Sequence, residues 1–172
     1  MHQLFLLRHA RAEPASAKIS DHDRPLTPQG RLDAGKIAKA MRTAGLAPDV
    51  VLVSTATRTQ QTLEMLEQHA LWDEWPNIDA LPQLYMATPP QILNTLSDLP
   101  ETVRSVLVVA HNPGLHMLAL QLAGEPKLVA DFKTLQEGYP TATLSEFLVT
   151  GTWRHLGADG ASSLQRLLLA QS

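Results

Sequence analysis

In three places in the chain a run of aliphatic residues leads into an arginine or a histidine. Leu4 to Leu7 is followed by Arg8-His9. Val50 to Val53 leads through Ser54-Thr55-Ala56-Thr57 to Arg58. Val106 to Ala110 runs into His111-Asn112-Pro113-Gly114. Guanidinium groups present rigid forks of N–H donors that match phosphoryl oxygens, and a neutral imidazole is a nucleophile toward phosphorus. This set suits phosphoryl transfer through a covalent phosphohistidine. One histidine attacks, while Arg8, Arg58 and the second histidine's N–H take up the charge that spreads over the non-bridging oxygens. Neighbouring arginines disfavour imidazolium and so keep the attacking ring neutral.

Taken singly, each signal is ordinary. Arg-His after a strand is a common polar strand end, His-Asn-Pro-Gly a common turn with a helix cap, and Arg58 could be a solvated helix residue. Their joint appearance after successive buried strands is what packing does not explain.

The elements that must hold these residues follow from apolar periodicity. Leu4–Leu7, Val50–Val53 and Val106–Ala110 read as strands buried on both faces, as in a parallel sheet. Thr27 and Pro28 read as the N-cap and first residue of a helix. Ala34, Ile37, Ala38 and Met41 form its apolar stripe, and Gly45 stops it. A second helix runs through Thr59, Leu63 and Leu66. Asn77–Leu81 is a weaker strand, followed by a loop-rich, proline-containing stretch and a helix around Gln91–Leu96. Leu115, Leu118, Ala119 and Leu122 mark another helix, closed by Gly124. Thr143–Val149 and Trp153–Leu156 read as a strand hairpin, with Trp153 in or beside the core. The alternation argues for an α/β layer fold, in which ligands collect beyond the carboxyl ends of the strands. The helix starts near Arg58 and Pro113 would aim backbone N–H groups at an anion there.

The 172 residues are 44% hydrophobic and 18% charged, with net charge −3 and no cysteine. That composition reads as one globular domain spanning 1–172. It excludes disulfides, thiolate nucleophiles and thiolate metal sites. It offers no general basic field for nucleic acid or an anionic membrane, so any anion must be held by locally clustered cations. The opening residues lack a basic leader and a long apolar run. No stretch approaches the ~20 apolar residues of a membrane span, so a soluble cytoplasmic protein is expected.

Leu7-Arg8-His9-Ala10, Asp23-Arg24-Pro25-Leu26-Thr27-Pro28-Gln29-Gly30, Ser54 to Arg58 with Gln60 or Gln61 and Thr62, and Val109-Ala110-His111-Asn112-Pro113-Gly114 together resemble the histidine phosphatase superfamily. The short length, the Asp-Arg-Pro-Leu-Thr segment and Tyr139-Pro140-Thr141-Ala142 are most similar to its small SixA-type phosphohistidine phosphatase branch. The resemblance covers nearly the whole chain. It implies a phosphoglycerate mutase-like three-layer α/β/α sandwich with a mostly parallel sheet. It implies His9 as nucleophile, with Arg8, Arg58 and His111 around the phosphate, Asn112 beside them, and Arg24 as an arginine this branch adds. No metal or organic cofactor is implied. The expected substrate is phosphohistidine in a protein, the alternative a small phosphate ester.

Two departures stand out. Ala10 replaces the usual glycine after the first histidine, a small-for-small change. In the loop after the third strand, Leu81-Pro82-Gln83-Leu84-Tyr85, Gln83 stands where many relatives carry a glutamate general acid. Asp23 is a candidate acid or, by preference, a group orienting Arg24. Arg24 could instead form a structural ion pair with Asp21 or Asp23, and Glu13 is a weaker acid candidate. His2, His22, His69, His116 and His155 read as structural or surface histidines. A sugar-phosphate mutase would need a proton donor and longer insertions. A metal hydrolase would need carboxylates where arginines stand. A silent phosphate-binding module would tolerate loss of His9.

Overall fold

A computed structural model of the chain describes residues 1–170. Six strands form one sheet in the order β3-β2-β4-β1-β5-β6. They are β1 (His2–Arg8), β2 (Val50–Ser54), β3 (Asn77–Leu81), β4 (Ser105–Ala110), β5 (Thr143–Val149) and β6 (Ser162–Leu169). β1, β4, β2 and β3 pair in parallel, and β5 pairs antiparallel with both β1 and β6. β5 is therefore the one reversed strand, and the sheet is mostly parallel.

Side chains that alternate along a strand point to opposite faces, and here the two faces carry two cores. Phe5, Leu7, Val51, Val53, Leu107 and Val109 pack with Ala34, Ile37, Met41, Leu63 and Leu66 from α1 (Pro28–Ala44) and α2 (Thr57–His69). Leu4, Leu6, Leu52, Val106 and Val108 pack on the other side with Ile92, Leu96, Leu115, Leu118 and Leu135. Those come from α3 (Pro89–Ser97), α4 (Gly114–Leu122) and α5 (Val129–Glu137). This is the three-layer α/β/α arrangement the sequence predicts, and it explains why the central strands are unbroken apolar runs.

Local rules account for the helix ends nearest the strand tips. Thr27 Oγ1 accepts from Gly30 N at 2.9 Å with Pro28 in the first turn, and Gly45 closes α1 in the left-handed region at φ 69°. α2 and α4 begin differently. Their N-caps, Ala56 and Pro113, make no side-chain capping bond. Both helices start directly after the carboxyl ends of β2 and β4, so first-turn N–H groups there have no side-chain cap.

The expected hairpin takes a different form. Trp153–His155 is a 3-10 turn inside the connection, and the strand that pairs with β5 is Ser162–Leu169. Trp153 is pulled out of strand geometry by its own partners. Its indole Nε1 donates to Val103 O at 3.0 Å, its backbone N donates to Glu101 Oε1 at 3.0 Å, and its side chain is buried in the core. α5, which sequence periodicity does not reveal, buries only Leu135. No helix among the described residues is long and apolar enough to cross a membrane.

Candidate active site

A cleft of about 340 Å3 opens at the carboxyl ends of β1, β2 and β4, lined by Arg8, His9, Arg24, Arg58, His111 and Asn112 together with Arg11, Asp21, Met86 and Thr141. Six residues named from sequence thus meet in one place, from segments as distant as 8 and 112.

His9 is 7% exposed and its Nδ1 lies 2.7 Å from the Ala10 carbonyl oxygen. A carbonyl only accepts, so Nδ1 carries the proton and the lone pair of the neutral ring lies on Nε2. The Arg58 Nε–H donates to that Nε2 at 3.3 Å. Burial pushes the His9 pKa down to about 4, and Arg58, Arg8 and Arg24 add to the shift against the opposing pull of the Ala10 carbonyl. The ring is neutral above that pH. Ala10 holds this arrangement from behind: its N–H donates to Thr62 Oγ1 at 3.0 Å, Thr62 Oγ1 donates to Arg58 O at 2.7 Å, and its methyl group is buried in the core.

His111 stands 5.4 Å from His9 between ring centroids, with Nε2 against Ser54 Oγ at 2.8 Å. Burial first, then Arg58, lowers its pKa to about 3. His111 Nδ1, Arg8 Nε and Asn112 Oδ1 are buried without a hydrogen-bond partner. Unspent polar atoms of cleft-lining residues are the mark of a site completed by a ligand. Arg8 and Asn112 are fixed by one carbonyl, that of Tyr139, which accepts from Arg8 Nη1 at 3.0 Å and from Asn112 Nδ2 at 2.8 Å. Tyr139 is itself locked, its buried hydroxyl donating to Leu6 O at 2.7 Å and meeting Ser145 Oγ at 2.7 Å. The sequence motif containing Tyr139 was visible, but its service to Arg8 was not.

Arg58 is 2% exposed, and three of its nitrogens are engaged. Nε goes to His9, Nη1 to Asp21 O at 2.7 Å, and Nη2 to Asp21 Oδ2 at 3.2 Å. Arg24 Nε donates to the other Asp21 oxygen at 3.0 Å, and its Nη1 to Glu13 O at 2.8 Å. The Tyr85 hydroxyl also donates to Asp21 Oδ2. That bond, ahead of the two arginines, holds the Asp21 carboxyl down to about 2.

Asp23 does not orient Arg24. Its carboxylate meets His22 Nδ1 at 3.4 Å outside the cleft lining. The short 3-10 turn over Asp21–Asp23 brings residues three apart onto one side, so Asp21 is the carboxylate that faces Arg24. Glu13 contributes its backbone, not its carboxyl. Gln83 sits exposed in the 3-10 turn Pro82–Leu84, and the loop instead sends Tyr85 and Met86 toward the cleft. His22 occupies the rim, with Nε2 on Thr55 Oγ1 at 2.9 Å and its ring edge-on to Tyr85. Tyr85 and Arg11 were missed by sequence reasoning, which named Asp21 only as an alternative ion-pair partner of Arg24, the pairing found here at 3.0 Å. Asp21 carried one signal, its position three residues before Arg24. Among the described residues no group of three or more His, Asp or Glu side chains is placed to hold a metal ion.

A mostly parallel sheet with an arginine-lined cleft at its strand ends is the build of an α/β phosphatase. Residues 4–82 match the family model of the histidine phosphatase superfamily (branch 1). An uncharacterized protein of Mycobacterium tuberculosis is 34% identical over 152 residues, covering 86% of this chain and 89% of its own. A solved structure described as a candidate phosphohistidine phosphatase SixA from Nakamurella multipartitia superposes with TM-score 0.79 at 29% identity, over 97% of this chain and 95% of that one. The protein histidine phosphatase SixA complexed with tungstate gives TM-score 0.75 at 25% identity, over 98% and 97%. The chain belongs to the histidine phosphatase superfamily and, within it, to the SixA-type group.

Proposed function

We propose that the chain is a metal-independent phosphatase that takes a phosphoryl group onto His9 and acts on phosphohistidine in proteins. The observation that carries the nucleophile is the Nδ1–H bond from His9 to the Ala10 carbonyl, which commits the ring to the tautomer with its lone pair on Nε2. In the first step His9 Nε2 forms a bond to phosphorus as the bond to the leaving nitrogen breaks. Arg8, Arg58 and His111 stabilise the charge on the transferring oxygens. In the second step water attacks phosphorus, His9 Nε2 leaves, and inorganic phosphate is released.

The substrate class rests on proton donors. Asp21 is the one carboxylate among the residues lining the cleft, and Tyr85, Arg58 and Arg24 keep it ionised. An alkoxide leaving group is a strong base that needs a proton in the transition state, an effect typically worth roughly 10²–10⁴ in rate. An imidazole leaving group carries its own protonatable ring, so this cleft favours phosphoramidates over alkyl phosphates. The similarity to proteins described as SixA supports the same reading.

The deciding measurement is a rate comparison, after exhaustive chelation, on a phosphohistidine protein, aryl phosphates and alkyl phosphates, repeated with His9→Ala. The expected order is phosphohistidine first, aryl next and alkyl last. An acid-labile phosphoenzyme should be present in the wild type and absent in His9→Ala, with turnover down about 10³-fold or more. Alkyl phosphates reacting fastest would sink the substrate assignment, and labelling that persists without His9 would sink the nucleophile.

A further inference from the structure

Nε–H and Nη2–H lie along one edge of a guanidinium, the edge that grips two oxygens of a phosphoryl group side-on. In Arg58 that edge is occupied by His9 Nε2 at 3.3 Å and Asp21 Oδ2 at 3.2 Å. The second oxygen of Asp21 takes Arg24 Nε at 3.0 Å. A tethered carboxylate therefore sits across two arginines of the phosphate cleft and holds the fork a phosphoryl group would use. Arg58 is buried, whereas the Asp21 side chain is 47% exposed at the rim, so the carboxylate has open space to withdraw into. It also has a partner that is not an arginine, the Tyr85 hydroxyl.

We propose that Asp21 is an internal competitor for the phosphate cleft, so that substrate binding and product release each proceed as an exchange of anions on Arg58 and Arg24. The arriving phosphoryl group displaces the carboxylate from the Arg58 fork and draws the Nε–H off His9 Nε2, which frees the lone pair for attack. Asp21 keeps its bond to Tyr85 meanwhile. When inorganic phosphate forms, Asp21 returns to both guanidiniums and lowers the affinity for a product that four lining arginines, Arg8, Arg11, Arg24 and Arg58, would otherwise retain. This rests on the reading above in placing the phosphoryl group on Arg58 and in taking His9 Nε2 as the attacking atom.

Removing the charge of Asp21 separates competition from simple support. If Asp21 merely held Arg58 in place, its loss would weaken phosphate binding. If it competes, its loss tightens binding. Isothermal titration of the full chain with inorganic phosphate is the test, on wild type, Asp21→Asn, Asp21→Ala and Arg58→Ala. Both Asp21 variants should bind phosphate about tenfold or more tightly, since a like charge at contact distance is removed. Product inhibition by phosphate in steady-state turnover should deepen in step. Asp21→Ala decides the matter should Asp21→Asn fail to fold. Unchanged or weaker phosphate binding on loss of the carboxylate overturns the proposal. Arg58→Ala tests the underlying placement separately: wild-type phosphate affinity in that variant would move the phosphoryl group off Arg58, whatever Asp21 does.

Discussion

A buried arginine beside a buried histidine serves as a charge and as a shape, and the two roles separate by substitution. Arg58 holds His9 Nε2 through Nε and Asp21 through Nη1 and Nη2. Lysine keeps the cation and loses the planar fork. Arg58→Lys should therefore weaken inhibition by vanadate, a trigonal-bipyramidal mimic, by about tenfold, and Arg58→Ala by about a hundredfold or more, in line with lost charge-assisted bonds. Thermal melts should show both variants folded. Vanadate inhibition unchanged in Arg58→Ala would remove this residue from the site. The charge on His9 follows the same logic. Burial and three arginines keep it neutral above about pH 4. The ring proposed as the nucleophile is thus unprotonated throughout the neutral range.

At the scale of elements, the cleft depends on how closely the start of α4 approaches the loop after β3. A Cβ added to Gly114 would lie 1.9 Å from the Ala87 backbone oxygen, so any side chain there must push the 85–88 loop aside. That loop carries Tyr85 and Met86. Gly114→Ala should cost about 1–3 kcal/mol in denaturant unfolding, as overpacking does, and should also reduce turnover. Gly151→Ala, whose new methyl would meet nothing within 4 Å, is the matching control and should change neither. Equal stability of the two variants would mean the loop is not pinned by α4. Strand ends were legible in sequence because a fully buried parallel strand must be apolar until it ends, so the first polar residue marks the tip. The helix caps Thr27 and Gly45 were legible for similarly local reasons. β6 was not. Leu164-Gln165-Arg166-Leu167-Leu168-Leu169 has no β-branched residue and no strict alternation, and only its pairing with β5 makes it a strand. The meeting of Asp21 with Tyr85 was not legible, because it spans 64 residues between two turns and no local pattern encodes such a contact.

At the scale of the whole molecule, the sheet gathers two histidines into its interior and keeps both uncharged, which ties the stability of the fold to pH. Folded His9 has a pKa of about 4 and folded His111 of about 3, against an ordinary value of 6.5. Between about pH 6.5 and pH 4 the unfolded chain binds protons that the folded chain refuses. Stability therefore falls as pH falls through that window, by on the order of a few kcal/mol from the pair. His2, also lowered by burial, adds to the same slope. Asp21 acts in a separate window. Its carboxyl is depressed from 3.8 to about 2, so its contribution is present above the ordinary carboxylate value and is lost only as pH drops below it. Urea unfolding of the wild type at pH 7, 5.5 and 4.5 should show a steady loss, and the double variant His9→Asn/His111→Asn should show a flatter profile with a residual slope from His2. The double variant need not be as stable as the wild type, because the readout is the change with pH and not the level. Parallel profiles for the two proteins would mean that the cleft admits enough water to let both rings titrate normally, and the account of a nucleophile kept neutral by burial would fall with it.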